Sequence, residues 1–250
     1  MHTIFVTGTA GSGKSLLTSR LVQWYRDNGA YPIVLNLDPG AVNLPYEPDV
    51  DVRSHVDVSA LMESYGLGPN GSLIMASDMI ATKIDEIQVE VDELNPDYVI
   101  VDTPGQIELF AFRGSGPYFV TNFHSDSKAT IFAFDGMLVS SPINYVSISL
   151  LAASVRLRLK TPQVNVLTKR DLVIEKLKDI MEWAGSHHAL EYALDGEKDY
   201  EYSLLSKEVA RSMSKGGFAS GLIAVSSVTM NGIVSLAAAL ARILNQGEDV

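Results

Sequence analysis

The residues from Gly8 to Ser15 read Gly-Thr-Ala-Gly-Ser-Gly-Lys-Ser and fit the pattern G-x-x-x-x-G-K-[ST]. Glycines at these positions let successive backbone N–H groups turn inward around a phosphate, and the start of a following helix adds its dipole. On this reading Gly11, Ser12, Gly13, Lys14, Ser15 and Leu16 cradle the phosphates of a nucleoside triphosphate. Lys14 is expected to reach the β- and γ-phosphates, and the Ser15 hydroxyl to hold Mg²⁺. The plain alternative is a glycine-rich turn with a chance lysine. It does not account for the order, in which the apolar run Thr3–Thr7 precedes the loop and Ser15–Arg26 follows with helical spacing.

A second constellation, Asp102-Thr103-Pro104-Gly105-Gln106, follows the apolar run Tyr98–Val101. A carboxylate at the tip of a parallel strand can lie across from the phosphate loop, so Asp102 is expected to hold the Mg²⁺ shell through water. The Gly105 N–H can sense the γ-phosphate, and loss of that contact on hydrolysis makes a switch. Gln106 and Glu108 are candidates for orienting the attacking water. Taken alone, this stretch is also an ordinary turn after a strand.

The third, Thr168-Lys169-Arg170-Asp171, follows Val164–Leu167. A carboxylate here can accept from the N1–H and 2-amino group of guanine while the lysine stem packs along the ring. Adenine has neither donor and would leave the carboxylate unpaired. The usual first residue is Asn, and this chain has Thr168, so the specificity argument rests on Asp171 and Lys169. Asp171 could also be only a helix cap. Val225-Ser226-Ser227 ends the last apolar run, where a backbone N–H at Ser226 can meet the guanine O6.

The elements that must position these groups alternate. Thr3–Thr7, Pro32–Leu37, Tyr98–Val101, Thr130–Phe134, Val164–Leu167 and Leu222–Val225 read as short buried strands. Ser15–Arg26, Ser72–Leu94, Tyr145–Leu159 and Leu172–Trp183 read as helices. That alternation predicts an α/β, three-layer P-loop NTPase sandwich with a mostly parallel central sheet. Asp38–His55, rich in Pro, Asp and Gly, reads as a functional loop, and Gly185–Gly217 as a small helical insertion. The expectation is a single domain over residues 1–250 with the insertion at about 185–217.

The composition narrows the setting. A chain of 250 residues with 46% hydrophobic content can fill a sizeable core. A net charge of −11 repels phosphate backbones and argues against nucleic acid as a partner. The absence of cysteine removes disulfides, thiolate metal sites and cysteine catalysis. The start Met1-His2-Thr3 lacks a signal-peptide pattern, and the apolar stretch near Tyr145–Val155 is interrupted by serines and too short for a bilayer. The expectation is a cytoplasmic protein without membrane contact. His187-His188 suggest a metal but have no third ligand nearby in sequence and read as solvent-exposed. Arg113 could serve as an arginine finger in cis and reads better as a surface switch residue. Met75 and Met79 read as core, and Ile148–Leu159 as a buried or half-exposed helix face.

Four further features carry a resemblance. Asn36-Leu37-Asp38-Pro39 is followed by Tyr46-Glu47-Pro48-Asp49-Val50-Asp51-Val52-Arg53, by Gly68-Pro69-Asn70-Gly71, and by Gln106-Ile107-Glu108 within Asp102–Glu108. In this order they resemble the GPN-loop GTPases of archaea and eukaryotes, from about Ile4 to about Leu240. The resemblance implies GTP/GDP and Mg²⁺ as ligands and a homodimer in which the Gly68-Pro69-Asn70 loop reaches the partner's nucleotide. Asn70 would then approach the γ-phosphate in trans with an amide where other systems use an arginine. The resemblance also assigns Asp38 to the Mg²⁺ and water network, Gln106 and Glu108 to the attacking water, and a protein client to an apolar surface. Gly40 stands where many members have Ala, and Thr168 where others have Ser or Asn. A lysine early in the phosphate loop marks one ATPase branch of related fold, and here that stretch is Thr9-Ala10. The alternatives carried forward are an ATP-dependent kinase or ATPase of the same loop class, and a GTP-binding scaffold with negligible hydrolysis.

Overall fold

The structure is a computed structural model, and it describes residues 1–197, 200–217 and 221–245. These build a seven-stranded sheet in the order β3-β2-β4-β1-β5-β6-β7, with every pairing parallel. The strands are β1 (His2–Gly8), β2 (Pro32–Asn36), β3 (Val50–Asp51), β4 (Tyr98–Asp102), β5 (Ser127–Asp135), β6 (Gln163–Thr168) and β7 (Leu222–Ala224). Central strands are apolar almost throughout because both faces are covered, as the sequence pattern requires. On one face α1 (Lys14–Asp27) and α10 (Ile233–Leu244) bury Leu17, Leu21, Leu236 and Leu240 against Ile4, Val6 and Ile131. The larger cluster on the other face includes Phe5, Phe132, Phe134, Ile87 and Val155. The three-layer sandwich is therefore present, and its sheet is wholly parallel.

Register brings the chemistry to one edge. Val6 of β1 lies opposite Asp102 of β4, which lies opposite Asn36 of β2, while Asp135 of β5 lies opposite Thr168 of β6. The phosphate loop, Asp38, Asp102–Glu108, Thr168–Asp171 and Ser226 all follow the carboxyl ends of these strands, which is where open parallel sheets bind ligands, whereas Gly68-Pro69-Asn70 opens a helix.

Three details differ from the sequence reading. The segment read as one helix over Ser72–Leu94 is two, α3 (Pro69–Thr82) and α4 (Ile84–Leu94), broken at Lys83, where φ is −102° and ψ 14°. Pro69 opens α3 one residue after Gly68, a position where its missing N–H costs nothing. The loop Asp38–His55 contains the two-residue strand β3, paired as Leu35 to Val50 and Asn36 to Asp51. The short helix α2 (Val58–Tyr65) follows, capped by the Asp57 carboxylate on the N–H groups of Ser59 and Ala60.

Beyond β4 come a π-helical turn at Glu108–Phe112, α5 (Ser115–Asn122), α6 (Pro142–Leu159) and α7 (Ile174–Gly185). The segment read as an insertion forms α8 (His187–Asp195) and α9 (Tyr200–Lys215), and Leu190, Leu194 and Ala210 join the larger core cluster. Helix α6 buries Tyr145, Val146, Ala152 and Val155 and leaves Leu150 and Leu157 exposed. Met75 and Met79 pack, half-buried, against the larger cluster. Among the described residues no helix is long and apolar enough to cross a membrane.

Candidate nucleotide site

The phosphate loop has the geometry its glycines anticipate. Gly8 and Gly13 have φ of 147° and 84°, and a Cβ on Gly8 would come within 2.8 Å of the Ala133 carbonyl oxygen. Gly13 caps the N-terminus of α1, so the first N–H groups of that helix are directed at the loop. Lys14 is 6% exposed, and its ammonium donates to the carbonyls of Gly8 at 3.2 Å and Thr9 at 2.9 Å. Burial lowers the Lys14 pKa, opposed by the nearby carboxylates of Asp102 and Asp38. Ser12 Oγ and Thr18 Oγ1 are buried and have no hydrogen-bond partner among the described residues.

Asp102 closes the opposite wall. It is 1% exposed; burial raises its pKa, and the Tyr46 hydrogen bond, the nearby Ser15 hydroxyl and the Lys14 charge pull the other way. Its Oδ2 accepts from the Tyr46 hydroxyl at 2.6 Å, and its buried Oδ1 has no partner within hydrogen-bonding geometry among the described residues. A buried carboxylate oxygen left unsatisfied is costly unless a ligand completes it. Beside it stand the hydroxyl of Ser15 and the carboxylate of Asp38, an all-oxygen donor set that suits Mg²⁺ with retained waters. The residues present therefore fit the ion. Asp38 itself accepts from the Gly40 N–H at 2.9 Å and from the Gly105 N–H at 3.1 Å, which ties the loop after β2 to the loop after β4. The Gly105 donor, expected to face a phosphate, is thus engaged by Asp38 in this structure.

The loop carrying Asp38 is held from below. Asn36 donates to Asp51 at 2.9 Å and accepts from the Asp38 N–H at 3.1 Å. The Arg53 guanidinium forks onto Asp51 and also donates to the Ala41 carbonyl at 2.9 Å. Burial alone would raise the Asp51 pKa, and the hydrogen bonds from Arg53 and Asn36 together with the Arg53 charge bring it below its ordinary value. Gly40 has its own reason: a Cβ there would meet Cδ2 of Leu73 at 2.7 Å, so an alanine would require Leu73 to shift.

The base motif is joined to the phosphate loop. The Thr168 hydroxyl donates to the Ser12 carbonyl at 2.7 Å and lies 3.0 Å from the Phe134 carbonyl. Lys169 pairs with Asp135 at 2.7 Å, and Asp171 sits half-buried in the short turn that follows. Ser226 is buried, but its N–H donates to the Asn231 carbonyl at 2.9 Å. That donor, read as a contact for guanine O6, is closed within its own turn.

Not every candidate gathers at this edge. Asn70 lies exposed at the first turn of α3, and among the described residues its side chain has no hydrogen-bond partner. Gln106 is half-buried and Glu108 exposed. Arg113 pairs with Asp78 of α3 at 2.8 Å rather than facing the phosphate loop. His188 is exposed, His187 lies 3.3 Å from Glu191, and no group of three metal-ligating side chains occurs among the described residues. Tyr46 is the residue whose part the sequence reading did not foresee; its signal was its place at the head of the Tyr46–Arg53 motif, to which no role was given.

Fold and site together define a P-loop NTPase-like α/β protein. A family model described as "conserved hypothetical ATP binding protein" matches residues 6–246. A GPN-loop GTPase of Pyrococcus abyssi is 36% identical over 181 residues, covering 72% of this chain and 71% of that one. GPN-loop GTPases of Arabidopsis thaliana and Saccharomyces cerevisiae are 35% and 34% identical over 80% of this chain. This chain spans about half the length of those two relatives, 53% and 52%. A solved GTPase in apo form from Pyrococcus abyssi superposes with a TM-score of 0.85 over 97% of both chains at 28% identity. The chain belongs to the GPN-loop GTPase family.

Proposed function

We propose that this protein is a Mg²⁺-dependent GTP hydrolase acting as a dimeric, nucleotide-controlled switch or assembly factor. The observation that carries the reading is the Thr168–Ser12 hydrogen bond, which sets the base motif directly against the phosphate loop. In this arrangement the N–H groups of Gly11–Leu16 and the Lys14 ammonium bind the phosphates, and Lys14 exchanges its present carbonyl partners for phosphate oxygens. Ser15, with Asp102 and Asp38 through water, would hold Mg²⁺, which when bound neutralises charge on the β- and γ-phosphate oxygens. Gln106 and Glu108 orient the attacking water, and Glu108 is the carboxylate able to accept its proton. Asp171 accepts from the guanine edge, with Lys169 held by Asp135 along the ring.

Asn70 is the residue for which this reading requires a second copy. It is exposed on a helix start and unpaired among the described residues, which suits a side chain donating to the partner's γ-phosphate. An amide carries no charge, so its gain in the transition state is smaller than an arginine's and slow turnover is expected. The same reading places the protein in the cytoplasm, with a protein client and neither nucleic acid nor membrane as partners.

The family model's description names ATP, whereas its relatives are named GTPases. Steady-state phosphate release with GTP and with ATP, at protein concentrations where a dimer is populated, decides between them. Preferential GTP turnover is expected; preferential ATP turnover would remove the base assignment. Tight GTP binding without phosphate release would leave a scaffold.

A further inference from the structure

We propose that Tyr46 is a positioning residue of the cation half of the site: its hydroxyl fixes Oδ2 of Asp102 and so presents Oδ1 to the water shell of Mg²⁺. The inference rests on the Mg²⁺-dependent nucleotide reading above.

Three observations bear on it. The Tyr46–Asp102 contact of 2.6 Å is a hydrogen bond to a charged acceptor, among the stronger kinds. The other oxygen of the same carboxylate is buried and unsatisfied, so the pair is a half-completed arrangement whose remaining lone pairs need a donor. A metal-bound water is such a donor. Tyr46 is also placed firmly enough to orient something. Its ring packs, half-buried, against the cluster that includes Leu17 and Leu21, and the Ser19 hydroxyl of α1 donates to the adjacent Pro45 carbonyl at 3.2 Å.

Tyr46 reaches Asp102 from the loop between β2 and β3, the same loop that carries Asp38. One carboxylate of the cation site is therefore oriented by a side chain from the segment that supplies the other. Seating that loop and ordering the cation site become a single event.

The test uses Tyr46→Phe, which keeps the ring and removes the hydroxyl, and reads binding of a fluorescent, non-hydrolysable GTP analogue across a Mg²⁺ titration and in EDTA. The Mg²⁺ concentration giving half of the affinity enhancement is expected to rise about tenfold, the worth of one hydrogen bond to a charged group, with affinity in EDTA unchanged. In an Asp102→Asn background the same substitution is expected to add nothing. An unchanged Mg²⁺ dependence in Tyr46→Phe overturns the proposal. Equal weakening in EDTA and in Mg²⁺ also overturns it, by showing a role in packing alone. A lower Mg²⁺ requirement overturns it by making Tyr46 a plug. Wild-type binding that ignores Mg²⁺ removes the cation site itself and this role with it.

Discussion

The two ends of the site are fastened by different mixtures of bond. At the tips of β2 and β4 side chains tie the two loops together and brace one of them, Asp38 to the Gly105 N–H, Tyr46 to Asp102 and Arg53 to the Ala41 carbonyl, beside the backbone bond from the Leu37 N–H to the Asp102 carbonyl. At the tips of β5, β6 and β7 the side-chain ties of Thr168 and Lys169 are joined by several backbone ones. Gly136 N–H donates to Thr168, Arg170 N–H to Val225, and Ser226 N–H to Asn231. Side-chain ties between loops can be exchanged for ligand contacts one at a time, whereas backbone ties are part of the strand ends themselves. On the proposed function, the loops tied through Asp38 and Tyr46 would be the ones that respond to a γ-phosphate, and the base end would be the steadier seat.

Substitutions should separate the two ends. The largest effect is expected from Lys14→Ala, which strips the buried cation from the phosphates. A loss of about 4 kcal/mol, roughly a thousandfold in Kd for GTP and GDP alike, should appear in a fluorescent-nucleotide titration. Asp171→Asn acts at the other end and should erase most of the preference for GTP over ATP, about a hundredfold in relative affinity, while total phosphate binding persists. Competition of unlabelled ATP against labelled GTP reads it, and an unaltered preference would return Asp171 to the status of a cap.

Asn70→Ala should lower kcat by roughly tenfold to a hundredfold with GTP affinity nearly intact, because the amide is asked to act only in the transition state. Mixing this variant with Lys14→Ala should restore one competent site per mixed dimer. No recovery would place Asn70 in cis or outside the chemistry. Arg113→Ala removes an exposed pair with Asp78 and should cost only about 0.5 kcal/mol in denaturant unfolding. A larger loss would mean that the tie between α3 and the loop after β4 is more than a surface contact.

The sequence made legible what depends on residue type at fixed spacing. Gly8–Ser15, Asp102–Gly105 and Thr168–Asp171 all leave the carboxyl ends of strands. It failed where the outcome is decided across space. Tyr46 lies 56 positions from Asp102, and nothing local marks it as a donor to that carboxylate. The break at Lys83 has no Gly or Pro, and the buried positions Ala76, Ile80, Ile84 and Ile87 keep helical spacing straight through it. Strand β3 is two residues long, too short for any alternation to show. The engagement of the Ser226 N–H by Asn231 was likewise out of reach, because that partner becomes visible only once the turn after β7 has closed.

The bond from the Thr168 hydroxyl to the Ser12 carbonyl also fixes a length. On the proposed function it makes the base seat and the phosphate cradle the two jaws of a caliper, joined by a bond that no ligand contact needs to break. A nucleotide measured by such a caliper is judged on the span from ring to β-phosphate, which GDP and GTP share. On that reading recognition of the third phosphate falls to loops outside the jaws, so product and substrate would be gripped alike and told apart by those loops.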